Sequence, residues 1–528
     1  MPHDWTTRTR ALTLELTAIN SITDTPGEIA AVDAIAAIVR RLPYFAEHPE
    51  DLILLGTRND PLPRRSLFAL VRGTGRKTVT LAGHYDVVEV DAYGSLAPLA
   101  FDPQALSGPL AEQLGGRAAI ELRSGAFLPG RGVLDMKSGL AVGIALLERF
   151  AQDPERQGNL LFVATPDEEG GSHGMRSAAA QLPEIAAEWG LDLAAALNLD
   201  ITVDQADGRE GRVIYTGSVG KLLPVALAVG QPTHVGMPFD GLNASLIAAE
   251  LIRRIEGAED LGESPPATLQ HLDLKPVYNV TVPAYSWCAF NVLTRTSGPD
   301  DVLAQFEAAA ADALRSAVAL HAARGVAWEA RADHIRSTFS HATTIWRASE
   351  LLARSPADLR ARVNTLAQDA QRDVLAASRA AYHALAQGLE LAGPGVIIGY
   401  APIFYPLAKA DPARDAELLA ACDSQAEAVA AETGVSIERR PFFHAISDMS
   451  FLAGQIDADD LATWRANTPG WRRWAIEAQA GAGLPTVNIG PWGRDAHQIG
   501  ERVHAGYAFG VLPELVWRVA RSVLGIGL

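Results

Sequence analysis

Residues 78–86 read Thr78-Val79-Thr80-Leu81-Ala82-Gly83-His84-Tyr85-Asp86, an apolar run that closes on a histidine and a carboxylate two positions apart. A short apolar run after the turn residues Gly73-Thr74-Gly75 is the pattern of a buried sheet strand. Residues two apart in a strand face the same side, so His84 and Asp86 project together. The construction recurs along the chain. Gly132-Val133-Leu134 leads to Asp135, Leu160-Leu161-Phe162-Val163-Ala164 leads to Asp167-Glu168-Glu169, and Ala194–Leu199 leads to Asp200. Open α/β sheets gather ligand-binding groups at the carboxyl ends of their strands, so these clusters are expected to converge on one edge.

Working outward, helical spacing over residues 6–41 breaks at Thr23-Asp24-Thr25-Pro26-Gly27, and a further helix is expected from Ser138 to Phe150 and another from Met175 to Gly190. With the strands between them this is a β-α-β-α-β succession, which predicts an α/β fold with a doubly wound mixed sheet. Residues 92–130, rich in Gly, Pro and Leu without a sustained period, read as a long irregular excursion. Gly73-Thr74-Gly75-Arg76-Lys77-Thr78 lacks the spacing of a phosphate loop and precedes a strand, so a hairpin turn is expected there.

After Asp200 the pattern changes. Strands are expected at 212–216, 222–229, 278–282 and 287–293, with helices at 244–255 and 300–315, which describes an inserted α+β domain with helices on one face. Helical spacing over 343–387 adds a block to that insert. The expected organisation is therefore 1–211 for the first part of a catalytic domain, 212–405 for the insert, and 406–528 for the second part of the catalytic domain.

Composition sets limits. A chain of 528 residues exceeds one compact core, and 48% hydrophobic with 20% charged residues is ordinary globular content. A formal charge of −17 argues against binding nucleic acid or an anionic membrane. Two cysteines, Cys288 and Cys422, are too few for a disulfide framework or a thiolate zinc site, so any metal must sit on His and carboxylates. The N-terminal residues lack a secretory pattern, and no run of ~18 apolar residues predicts a membrane helix. A cytoplasmic location is expected.

Chemistry narrows the clusters. Asp135, after a Gly-Arg-Gly turn, offers two oxygens and can bridge two cations, which His cannot. The adjacent carboxylates Glu168 and Glu169 raise each other's pKa unless a cation or proton relieves them, so one can ligate while its neighbour serves as general base. His497, in Ala496-His497-Gln498-Ile499-Gly500-Glu501, completes a set of five, with His84, Asp135, Glu169 and Asp200. A bridging carboxylate plus two terminal ligands per ion suits two Zn²⁺ about 3.5–4 Å apart, with Co²⁺ or Mn²⁺ as substitutes. His444 is the remaining histidine nearest to a functional case.

The strings Gly83-His84-Tyr85-Asp86-Val87-Val88, Gly130–Gly139, Asp167-Glu168-Glu169-Gly170-Gly171-Ser172 and His497–Glu501 resemble the co-catalytic zinc peptidases that include glutamate carboxypeptidase, aminoacylase, acetylornithine deacetylase and succinyl-diaminopimelate desuccinylase. The long 92–130 segment, the 343–387 block and Pro441–Ser450 are similar to the larger arginine-utilisation, RocB-type branch. The resemblance implies that His84, Asp135 and Asp200 hold one zinc and Asp135, Glu169 and His497 the other, with Asp86 orienting His84 and Glu168 as general base. It implies that the insert is a lid and dimerisation domain whose His234, in Gly230–Gly236, stabilises the oxyanion in the partner subunit of a homodimer. It further implies that Asn279 contacts substrate and that Ser447 and Asp448 line a substrate-carboxylate pocket. Arg295 stands at a strand end without the Asp that accompanies the family's carboxylate-gripping Arg, and at shifted spacing. The implied activity is hydrolysis of an amide bond in a small peptide or N-acyl amino acid. The reading from another class is a metal-binding sensor or scaffold of the same fold without catalysis.

Overall fold

The computed structural model describes residues 4–332, 342–443, 445–454, 456–473 and 482–526. His444 lies outside them. The chain divides into two compact units, the first built from 1–219, 408–455 and 476–528 and the second from 220–407 and 456–475.

The first unit is organised by an eight-stranded mixed sheet. Its strands are β1 (Leu52–Gly56), β2 (Arg65–Arg72), β3 (Thr74–His84), β4 (Gln157–Thr165), β5 (Asp192–Asn198), β6 (Val213–Tyr215), β7 (Glu438–Arg440) and β8 (Thr486–Asn488), in the order β1-β2-β4-β3-β5-β8-β6-β7. The centre is parallel: β3 runs between β4 and β5, with His84 level with Thr165 and Ala82 level with Asn198. That register delivers the three strand ends, and the residues after them, to one edge. Leu81, Ala82 and Leu160–Ala164 are buried, as expected of strands covered on both faces.

Helix α1 (Trp5–Thr17), α2 (Pro26–Arg40), α3 (Ser138–Ala151) and α4 (His173–Trp189) belong to this unit. In α3 the residues Ser138–Leu147 are all buried, so the helix is packed around its whole girth rather than along a stripe. Gly139 makes this possible, because a Cβ there would lie 2.1 Å from the carbonyl oxygen of Leu199. The helix therefore sits tightly against the residue that precedes Asp200.

Several expectations are corrected. β2 and β3 are consecutive but not neighbours, since β4 inserts between them, antiparallel to β2 and parallel to β3; Gly73 is a crossover link and not a hairpin turn. The excursion at 92–130 is mostly helical, with helices Pro103–Leu114 and Gly116–Arg123 and a short strand Phe127–Pro129. Pro109 and the paired Gly115-Gly116 chop its periodicity, while Asp102 caps the first helix by accepting from the amides of Gln104 and Ala105.

The second unit holds a five-stranded sheet in the spatial order Ala267–Asp273, Tyr285–Thr294, Gly220–Val229, Gly395–Tyr405, Thr344–Arg347. The first four are antiparallel and the last is parallel to its neighbour. Alternation along Gly220–Val229 separates two cores. Leu222, Ala226 and Ala228 pack with helices Ala244–Ile255 and Pro299–Ala332, while Leu223, Val225, Leu227 and Val229 pack with helices between Ala348 and Gly388. The expectation of helices on one face is thus corrected to both, the 343–387 block covering the second. The strand expected at 278–282 lies instead at Ala267–Asp273, and Thr281 makes a single bridge to His234. Residues 456–475, expected with the C-terminal part of the first domain, belong to the second unit, where Trp464 enters its core. Among the described residues no helix is long and apolar enough to cross a membrane.

Candidate active site

The edge formed by β3, β4 and β5 carries two groups of side chains that share one carboxylate. His84 Nε2 lies 3.1 Å from Asp135 Oδ1 and 3.8 Å from Asp200 Oδ1. His497 Nε2 lies 3.0 Å from Asp135 Oδ2 and 2.9 Å from Glu169 Oε1. Each oxygen of Asp135 therefore faces a different histidine. Ligand atoms bonded to one tetrahedral cation at ~2.0–2.2 Å stand roughly 3.3–3.6 Å apart, and the observed spacings bracket that value. The donor set also fits. His84 Nδ1 lies 3.1 Å from the main-chain oxygen of Asp86, which can only accept, so Nδ1 carries a proton and Nε2, among the carboxylate oxygens, is the nitrogen able to give its lone pair to an ion. Such a gathering of acceptors fits a cation.

Asp86 does more than face the ring. Its Oδ1 is 3.5 Å from His84 Nδ1, but the same carboxylate accepts from the amides of Glu168 at 3.0 Å and Glu169 at 3.1 Å and from the Thr23 hydroxyl at 2.9 Å. Its chief contacts thus hold the turn that carries the two glutamates. Asp200 is fixed through its backbone by Asn488, which accepts from the Asp200 amide and donates to its carbonyl, and through Oδ2 by the Ser447 hydroxyl at 3.3 Å. Asn198 in turn donates to Ser447 at 3.0 Å. Ser447 and Asp448 are both buried; Asp448 accepts from Thr165, and its Oδ1 has no hydrogen-bond partner among the described residues.

Two further residues tie distant segments together. The Glu501 carboxylate accepts from the amides of Gly132 (2.9 Å), Leu134 (3.3 Å) and Asp135 (3.3 Å) and pairs with buried Arg131, whose other Nη donates to the carbonyl of His497. Asn198, Asn488, Arg131 and Glu501 were not singled out by the sequence. Their one signal is polarity within or beside apolar runs, as with Asn198 in Ala194–Leu199.

Electrostatics follow from burial and crowding. Burial drives the Glu168 carboxyl well above its ordinary range, and Glu169, Asp200 and Asp448 add to this against the opposing effect of His84. Glu169 rises to about 7, first through burial and then through Asp135. Burial opposes charge on His84, yet the carboxylates of Asp135, Asp200 and Asp86 outweigh it and hold the ring's pKa well up. For Asp135 burial is likewise overcome by His497 and His84, and its pKa falls.

The remaining sequence-derived residues lie in the second unit. His234 is exposed in the loop after Gly220–Val229, and its Nδ1 accepts from the Gly236 amide at 3.0 Å, which leaves Nε2 as the donor of a neutral ring. Asn279 is exposed, and its side-chain oxygen accepts from the amide and hydroxyl of Thr281. The amide of Arg295 donates to Glu263, and its Nε has no hydrogen-bond partner among the described residues.

The sequence profile of peptidase family M20/M25/M40 matches residues 80–514. The Bacillus subtilis protein YqjN is 31% identical over 97% of this chain and 96% of its own length. RocB of the same organism is 29% identical over 98% of this chain and 95% of its own length. Among solved structures, a tripeptidase from Staphylococcus aureus superposes with a TM-score of 0.54 at 15% identity, covering 98% of both chains, a likeness of fold.

Proposed function

The chain belongs to peptidase family M20/M25/M40, and from that premise we propose that it is a di-zinc hydrolase cleaving an amide bond in a small peptide or an N-acyl amino acid. The observation that carries this reading is the division of Asp135, with one oxygen toward His84 and the other toward His497. His84, Asp135 and Asp200 would hold one ion, and Asp135, Glu169 and His497 the other. When bound, such ions lower the pKa of water toward ~7 and polarise a carbonyl.

The protein's own groups then divide the proton work. Glu168, held on the same turn as the proposed ligand Glu169, takes a proton from the attacking water and passes it to the leaving amine. Asp86 keeps Glu168 in place through the two turn amides and fixes the tautomer of His84 through its carbonyl. The partner subunit's His234 donates from Nε2 to the carbonyl oxygen as negative charge develops there, which makes a homodimer the working form. Asn279 and Arg295 contact the substrate from the lid. Ser447 and Asp448 line the pocket for the substrate's carboxylate, and Ser447 also braces Asp200 by its hydrogen bond to Oδ2.

The test is a panel of dipeptides and N-acyl amino acids, headed by arginine derivatives because of the RocB-type resemblance, assayed with zinc, cobalt and manganese. Turnover by the wild-type protein that disappears in Glu168→Gln with bound metal retained is the expected result. Full activity in that variant sinks the mechanism. Metal binding without turnover on any substrate would favour a sensor or scaffold.

A further inference from the structure

A buried polar cluster lies behind the site and takes no part in the mechanism above. Arg64, immediately before β2, is almost fully buried. Its Nε and Nη2 both reach the carboxylate of Asp60 at 2.8 Å, a two-pronged grip that fixes the guanidinium plane. The remaining nitrogen, Nη1, is thereby aimed at Asp167 Oδ1, 2.7 Å away, with Glu28 at 3.2 Å and Asp24 at 3.1 Å beside it.

Asp167 begins the turn that carries Glu168 and Glu169. Its φ of 66°, like the 50° of Ser172 at the turn's far end, lies in the left-handed region that non-glycine residues seldom occupy. Such conformations persist where surrounding contacts over-determine them. Here the contacts are specific. Asp167 Oδ2 accepts from the amide and Nδ1 of His173, its main-chain oxygen accepts from the amide of Ser172, and its other carboxylate oxygen is held by Arg64. Asp86 grips the two central amides of the turn, whereas the Asp60–Arg64–Asp167 chain grips its base.

We propose that Arg64 is a positioning residue for hydrolysis, acting through Asp167 to hold the turn that presents Glu168 and Glu169. The role rests on the reading of Glu168 as base and Glu169 as ligand. It requires a guanidinium, because a single ammonium cannot serve both Asp60 oxygens and Asp167 in that plane.

Arg64→Ala and Arg64→Lys test this, the second guarding against a failure to fold. With metal saturating, kcat should fall about 10–100-fold in Arg64→Ala with KM unchanged, Arg64→Lys should recover only part of the loss, and added guanidinium at sub-denaturing concentration should restore activity to Arg64→Ala. Independently of turnover, amide hydrogen exchange in the metal-free protein should quicken about tenfold at Glu168, Glu169, Ser172 and His173 in either variant, while β4 keeps its protection. Unchanged exchange at those amides, or a general loss of protection with kcat per folded molecule intact, overturns the proposal. If the wild-type protein or Glu168→Gln behaves contrary to the hydrolytic reading, that reading fails separately, and the exchange measurement still decides whether Arg64 holds the turn.

Discussion

Glu501 accepts a hydrogen bond from the main-chain amide of Asp135 at 3.3 Å across 366 positions of sequence. The same carboxylate pairs with buried Arg131, and Arg131 holds the carbonyl of His497, so one pair fixes Asp135 and His497, the proposed shared and terminal ligands, together. Removing one partner of a buried ion pair leaves the other charge uncompensated, at a cost of about 3–5 kcal/mol. Glu501→Ala should therefore lower stability in a denaturant titration by that order and weaken metal binding at the His497 side first. Glu501→Gln, which keeps the shape and an acceptor, should lose less of both.

Metal stoichiometry separates the roles of the ligands. His84→Ala and His497→Ala should each retain about one ion per chain by elemental analysis, from opposite sides of the site, whereas Asp135→Asn should retain neither firmly if, as proposed, both ions share its charge. Two ions retained in Asp135→Asn would contradict the bridging arrangement.

Glu28 gives a pH signature away from the ligands. Burial first, then the Asp86 carboxylate, pushes its folded pKa from 4.5 to about 8 against the counter-effect of Arg64. The folded state thus binds a proton that the unfolded state releases between those values, and stability contributed by the neutral form falls as pH rises from about 4.5 to about 8. Substituting Glu28→Gln removes this slope. Relative to wild type, the variant should gain at least ~1 kcal/mol of stability between pH 5 and pH 8, measured by chemical denaturation at each pH. A parallel pair of stability curves would rule this out.

Gly490 marks a close approach that admits no side chain. A Cβ there would stand 1.7 Å from the carbonyl oxygen of Asp200. Gly490→Ala must displace the Asp200 segment, and overpacking of this kind costs typically ~1–3 kcal/mol. The melting temperature and the zinc affinity should fall together, while an alanine at Gly56, where nothing lies within 4 Å, should leave zinc affinity unchanged.

The sheet edge is legible in the sequence because its signals are local. An apolar run followed at once by His84 or Asp200, or within five residues by Glu169, states both a strand and what the strand delivers. The contacts that hold these residues are not local. Asp86 reads as a partner of the His84 ring, two positions away, yet its carboxylate mostly serves amides 82 and 83 positions downstream. Asn488 and Arg64 carry no local mark beyond their polarity beside apolar residues, since an amide in a strand or an arginine before one acquires meaning only from what the fold sets opposite. The order of β2, β4 and β3 was hidden for the same reason: a short link between consecutive strands does not reveal that a third strand will part them.

The unit that bears the site is threaded from three separated stretches of chain, 1–219, 408–455 and 476–528. Ribosomal synthesis, which proceeds at ~5–20 residues per second, must therefore finish His84, Asp135, Glu169 and Asp200 roughly 15–60 seconds before His497 and Glu501 are made. For that interval β5 lacks β8 as its neighbour, Arg131 lacks its carboxylate, and the proposed ligand set lacks His497. The proposed centre can thus be complete only once His497 and Glu501 have been made.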